Sequence, residues 1–89
     1  MTYRTHDDVV ATEVGGGEAV LLHLESNQYF ALSETGFKLW EWLSEPAGKD
    51  ELVQRLMEAW DVDQADARDH VQAFLEEMKA NDLVVQSQG

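Results

Sequence analysis

The chain has 89 residues, 44% of them apolar, enough for one compact domain with a small core and too few for two. It holds no cysteine, which excludes disulfides, thiolate zinc sites and a thiol nucleophile and fits a reducing cytoplasm. Eighteen acidic residues against six basic ones give a formal charge of −12, a field that repels phosphate backbones and anionic lipid and favours neutral, cationic or protein partners.

Residues 1–8 mix charge and polarity without a period, and "QSQG" at 86–89 does the same, so both ends are expected to be flexible around a single domain at 9–85. Nothing near Met1 resembles a signal peptide. The longest apolar run, Ala19 to Leu22, is far too short to cross a bilayer, so a soluble protein is expected. Val9 to Val14 is rich in β-branched residues and stops at Gly15-Gly16-Gly17, which reads as strand then turn. Glu18 to Glu25 alternates Val20, Leu22 and Leu24 with Ala19, Leu21 and His23, the pattern of a central strand. Ser26-Asn27 separates it from a third strand, Gln28 to Leu32, because Asn tolerates the left-handed backbone of a tight hairpin.

Ser33 is a preferred N-cap, Glu34 puts negative charge in the first turn, and Phe37, Trp40 and Leu43 recur at helical spacing. The spacing predicts a helix over 34–44 that stops before Pro46. A second helix follows "EPAGK", with a weak Gly48 or Lys49 cap and the stripe Leu52, Val53, Leu56, Met57 and Trp60. A third, capped by Asp63, runs to about Ala80 with Ala67, Val71, Phe74, Leu75 and Met78 on its apolar face. Asn81 suits a left-handed stop, and Leu83 to Val85 returns as a short edge strand or tucks into the core. The fold class is α+β, like a winged helix-turn-helix: a three-stranded antiparallel sheet followed by three helices.

No catalytic constellation is visible. His6, His23 and His70 lie in different elements without metal-ligand spacing, the carboxylates fall on solvated faces, and the glycine triplet leads into a strand rather than a helix. The chain is therefore expected to be no enzyme and to hold no cofactor or metal. A DNA-binding winged helix is the other use of such a fold. Yet its recognition helix would carry Asp63, Asp66, Asp69, Glu76 and Glu77 against Arg68 and Lys79, the wrong sign for phosphate contacts. The strand "QYFAL" has no charge, proline or bulge to blunt it. Either an extended peptide adds there, or Leu83 to Val85 or the N-terminal tail covers it within the domain.

The stretch "LESNQYFALSETGFKLWEWL" closely resembles the signature of the pyrroloquinoline quinone biosynthesis protein D family, the RiPP recognition elements, at Tyr29, Phe30, Leu32, Ser33, Thr35, Gly36, Leu39 and Trp40. "ELVQRLMEAWDVDQADARDHVQAFLEEMKANDLV" is similar to the family's second and third helices, so the likeness spans about 9–85. The sequence departs from the pattern at Ser-Asn, where many members have Ser-Gly, and at Gly48, where many have Thr.

The resemblance implies a chaperone that binds the leader segment of a ribosomally made precursor peptide and presents it to a processing enzyme. A lasso peptide leader protease is the first expectation and a radical S-adenosylmethionine peptide-modifying enzyme the alternative. It implies leader pairing along Gln28, Tyr29, Phe30, Ala31 and Leu32, against a wall on the third helix from Val71, Phe74, Leu75 and Met78 with a flank residue such as Arg68. Alternation puts Phe30 and Leu32 on the helix-covered face and Tyr29 and Ala31 on the other. On the third helix, Arg68 and Lys79 share one flank of the stripe and His70 and Glu77 the other. Thr35 and Gly36 are read as serving the helix start. An unpaired edge also permits a strand-exchanged dimer in place of a monomer.

Overall fold

The computed structural model describes residues 1–87. In chain order the elements are β1 (Thr2–Thr5), β2 (Val9–Gly15), β3 (Glu18–His23), β4 (Gln28–Leu32), α1 (Glu34–Trp42), α2 (Lys49–Ala59), α3 (Gln64–Ala80) and β5 (Val84–Ser87). β2, β3 and β4 form the expected antiparallel meander, and β1 pairs antiparallel with β5 in a separate two-stranded sheet.

The local signals act as the residue types require. All three glycines of the β2–β3 turn take positive φ, and Asn27 closes the next hairpin with φ 59. Ser33 caps α1 by accepting the Gly36 N–H at 3.2 Å, and Asp63 caps α3 by accepting the Asp66 N–H at 2.8 Å. Gly48 caps α2 with no side-chain bond. At the end of α3 the left-handed residue is Asp82 (φ 59), one position later than the sequence suggests. Asn81 still has φ −102. The reason is a two-bond stop: the Asp82 N–H reaches the Lys79 carbonyl and the Leu83 N–H the Met78 carbonyl, while Leu83 and Met78 pack together in the core.

The core lies between the inner face of the meander and the three helices. It joins Leu21 and Leu32 of the sheet to Leu39, Trp40 and Leu43, then Leu52, Val53 and Leu56, then Ala67, Val71, Phe74, Leu75 and Met78, and closes on Leu83 and Val84.

The ends depart from expectation. Residues 2–5 are a strand, Gln86 and Ser87 continue β5, and the remaining two residues of the expected loose tail lie outside the described residues. Among the described residues, four strands precede the helices and one follows them, in place of three strands then three helices. The cause is non-local. Tyr3 packs against the core and exchanges bonds with Ala47 at 2.8 and 3.0 Å, and the His6 N–H donates to Leu83 at 3.0 Å. Four-residue strands whose partners are the opposite terminus and a loop carry no period of their own. Among the described residues, the N-terminal segment and the strand after α3 pair with each other and not with β4.

Candidate binding edge and groove

β4 has one strand neighbour among the described residues, β3. The register and one bond tell which of its backbone groups are free. The Leu24 N–H donates to Asp8 at 2.7 Å, so the even residues at this end of β3 face β2 and the odd ones, Ala19, Leu21 and His23, face β4. Their partners are Leu32, Phe30 and Gln28. The N–H and C=O groups of Tyr29 and Ala31 therefore point away from the sheet, an open ladder of two residues.

Side chains follow the same alternation. Leu32 is buried and Phe30 packs against the core, whereas Tyr29 is 70% exposed and Ala31 is exposed.

Beside the C-terminal half of this edge runs a groove of about 280 Å³ between β4, the start of α1 and α3. Ala31, Leu32, Ser33, Thr35, Gly36 and Leu39 line one side and His70, Ala73, Phe74, Glu77 and Met78 the other. Small residues at 31, 36 and 73 leave the space, Leu39, Phe74 and Met78 give an apolar floor, and Ser33, Thr35, His70 and Glu77 make a polar rim.

The sequence-named residues divide accordingly. Ala31, Leu32, Phe74 and Met78 come together at the groove, and Gln28, Tyr29 and Phe30 continue the edge. Val71 is fully buried and faces the core. Leu75 lies on the far flank of α3, with Tyr3, Lys49 and Lys79. Arg68 sits against α2, with Asp50, Val53 and Met57, and does not reach the groove. The flank of α3 turned to β4 is the one bearing His70 and Glu77. Gly36, at the helix start, is not held bare by a tight contact. A Cβ there would meet Leu32 and Ser33 at an ordinary 3.5 Å, so its bareness widens the groove instead of relieving a clash.

The fold assembles one ionisable cluster that sequence spacing conceals. His6 and His23 lie with ring centroids 4.9 Å apart, and His23 is buried. The Nδ1 of His6 accepts the Asp8 N–H at 3.0 Å and that of His23 the Glu25 N–H at 3.3 Å. A neutral imidazole that accepts at Nδ1 carries its proton on Nε2, and both Nε2 atoms face Asp82 Oδ2, at 3.8 and 3.5 Å. A metal held by the same three side chains would need those protons moved to Nδ1, against two backbone donors. The cluster sits where the residues after β1, the end of β3 and the turn after α3 meet, and the buried Nε2 of His23 makes no hydrogen bond there.

No helix among the described residues is long and apolar enough to cross a membrane.

Comparison with known proteins agrees with this geometry. A solved structure described as TbiB1 in complex with the TbiA(beta) leader peptide is 27% identical, with a TM-score of 0.84 over 97% of this chain and 99% of that one. A second, described as lasso peptide synthetase B1 complexed with the leader peptide, is 20% identical, with a TM-score of 0.79 over 94% of this chain and 98% of that one, a likeness of fold. No curated protein matches the sequence. Residues 18–84, from the start of β3 into β5 and including the whole of the edge and groove, match the family described as Coenzyme PQQ synthesis protein D, and the chain belongs to that PqqD family.

Proposed function

We propose that the chain binds the leader segment of a ribosomally made precursor peptide in lasso peptide biosynthesis and hands it to a leader-removing enzyme, acting in the cytoplasm by binding and not by catalysis. The observation that carries this is the open ladder of Tyr29 and Ala31 beside a groove with an apolar floor. A peptide laid along β4 gains main-chain hydrogen bonds from those two residues. Its alternate side chains turn into the groove against Leu39, Phe74 and Met78. The solved leader-peptide complex of the 27% identical TbiB1, alike over nearly the full length of both chains, supports the reading.

Binding follows from Gln28, Tyr29, Phe30, Ala31 and Leu32 on the strand side and from His70, Ala73, Phe74, Glu77 and Met78 on α3. Val71 and Leu75 act only through the core. We also read α2, α3 and β5 as a winged helix-turn-helix put to peptide use. The exposed Asp66, Asp69, Glu76 and Glu77 of α3 oppose a nucleic-acid role.

The test is titration of a labelled leader peptide, from the precursor encoded with this chain, into the purified protein at two salt concentrations. Saturable binding that persists at the higher salt is expected, because main-chain bonds and apolar contacts are little screened. Absence of binding by the folded protein at either salt would refute the proposal. The family description favours one second reading, a PQQ-type pathway in which the same edge serves a radical S-adenosylmethionine enzyme. Preference for a leader of that class over a lasso leader would select it.

A further inference from the structure

The inner face of β3 is apolar at Ala19 and Leu21 and then, where the alternation calls for a third apolar side chain, carries His23. At 3% exposure it is the one buried polar side chain among the described residues, and its Nε2 has no hydrogen-bond partner. Asp82 does not supply one, because a contact of 3.5 Å from an exposed carboxylate falls short of a hydrogen bond. An orphan of this kind marks a place where an ion or a polar ligand completes the structure.

The atoms that share the place show which ligand it takes. Nε2 of His23 lies 3.5 Å and Nε2 of His6 3.8 Å from Oδ2 of Asp82, and the three atoms all lie within 4.8 Å of one another. Two imidazole nitrogens and one carboxylate oxygen suit a divalent first-row ion of the zinc kind, whereas Mg²⁺ and Ca²⁺ take oxygen alone. Distance then selects the geometry. Bonds of about 2.1 Å set the ligand atoms of a tetrahedral ion about 3.4 Å apart and those of an octahedral ion about 3.0 Å apart. Both separations from Asp82 sit nearer the tetrahedral value, and its side chain, 73% exposed, has room to close the rest and leaves the fourth position to water. Asp8 and Glu25, each exposed and two residues past one of the histidines, add a field that draws a cation in.

Binding has a definite cost. Each Nδ1 accepts a backbone N–H, so without metal both rings carry their proton on Nε2; an ion there moves the protons to Nδ1 and displaces the N–H groups of Asp8 and Glu25. Both donors belong to exposed residues, so water replaces the lost acceptor, and the Glu25 bond at 3.3 Å is already long. Two ordinary hydrogen bonds give way to three metal bonds, an exchange that favours the ion.

We propose that His6, His23 and Asp82 bind one Zn²⁺-type ion through Nε2, Nε2 and Oδ2, and that the ion staples the segment after β1, the end of β3 and the turn after α3. None of the three residues lines the groove, so the site stands independently of the leader-binding reading.

The experiment uses the full chain, untagged and stripped with chelator, with Zn²⁺ and Co²⁺ as probes. Zinc is expected to bind at one ion per chain and, at about a hundredfold over Kd, to raise the melting midpoint by about 10 °C or more. Co²⁺ is expected to show the intense visible bands of a four-coordinate ion. Asp82→Asn suits the left-handed backbone at φ 59, and His6→Gln changes a side chain that is 21% exposed, so both are expected to fold. Each should weaken zinc about tenfold or more and cut the midpoint shift at the same zinc concentration by about half or more. His23, being buried, is read in place: long-range proton–nitrogen NMR should find both rings protonated at Nε2 without zinc and at Nδ1 with it. Zinc that fails to bind the folded parent, or that leaves both rings protonated at Nε2 at saturation, overturns the site. So does zinc that binds parent and Asp82→Asn equally, the mark of diffuse attraction to an acidic surface.

Discussion

Arg68 and Glu77 sit on opposite flanks of the same helix, one against α2 and the other in the groove. Arg68→Ala should therefore leave leader affinity unchanged within about twofold. Glu77→Lys should weaken binding of a leader with a basic residue at the groove by about two- to fivefold, the scale of an exposed ion pair, with the difference shrinking as salt is added. Titration of both variants at two salt concentrations checks this. Gly36 offers a sharper separation of stability from function. Ala in its place is a better helix former by up to about 1 kcal/mol, so thermal unfolding should move up. Its methyl would narrow the groove at Leu32 and Ser33, so leader binding should fall by about two- to fivefold. Tighter binding in Gly36→Ala would place the leader elsewhere. The apolar stripe of α3 was legible in its 3.6-residue period. Which flank meets β4 was not, because a period defines angles around the helix axis and leaves open how the axis is rolled against the sheet.

At the scale of elements, the edge was readable as far as its chemistry went. "QYFAL" lacks every feature that blunts an edge, and the structure leaves it unblunted. Whether another segment covered it depended on β1 and β5, two four-residue strands that pair with each other from opposite ends of the chain, Thr2 with Ser87 and Thr5 with Val84. Nothing local in "TYRT" or "VVQS" names the other. His6, His23 and Asp82 were hidden for the same reason, since three separate elements must fold before they meet. The outward Ala31 N–H yields a direct prediction. Ala31→Pro removes a donor that no group in the domain uses, and edge strands tolerate proline where the N–H faces out. The variant should fold, with leader affinity reduced about tenfold or more through a lost main-chain bond and a blocked approach. Normal binding by the folded variant would mean that the ladder does not run through this residue.

For the molecule as a whole, the two sheets divide the work. The β1–β5 pair ties the chain ends to the loop at Ala47 and to Leu83, and the meander presents the edge. Removing residues 1–6 deletes the partner of β5 and the bonds of Tyr3, Thr5 and His6. At about 1 kcal/mol for each bond and roughly 4–8 °C per kcal/mol, the melting midpoint should drop by about 10 °C or more. Leader binding measured well below that midpoint should hold within about threefold, because β1 pairs with β5 in a sheet separate from that of β4. A formal charge of −12 on so small a body also resists self-association, so strand exchange at β4 should yield to leader and be promoted by salt.

The most direct measurement is residue-resolved amide hydrogen exchange with and without a saturating leader peptide. In the free protein the Tyr29 and Ala31 amides should exchange quickly while Phe30 and Leu32, bonded to β3, are protected, and leader should slow the first two by about tenfold or more. Protection that appears on the Arg68 flank of α3, or leader binding that leaves Tyr29 and Ala31 as fast as before, would contradict strand addition at β4.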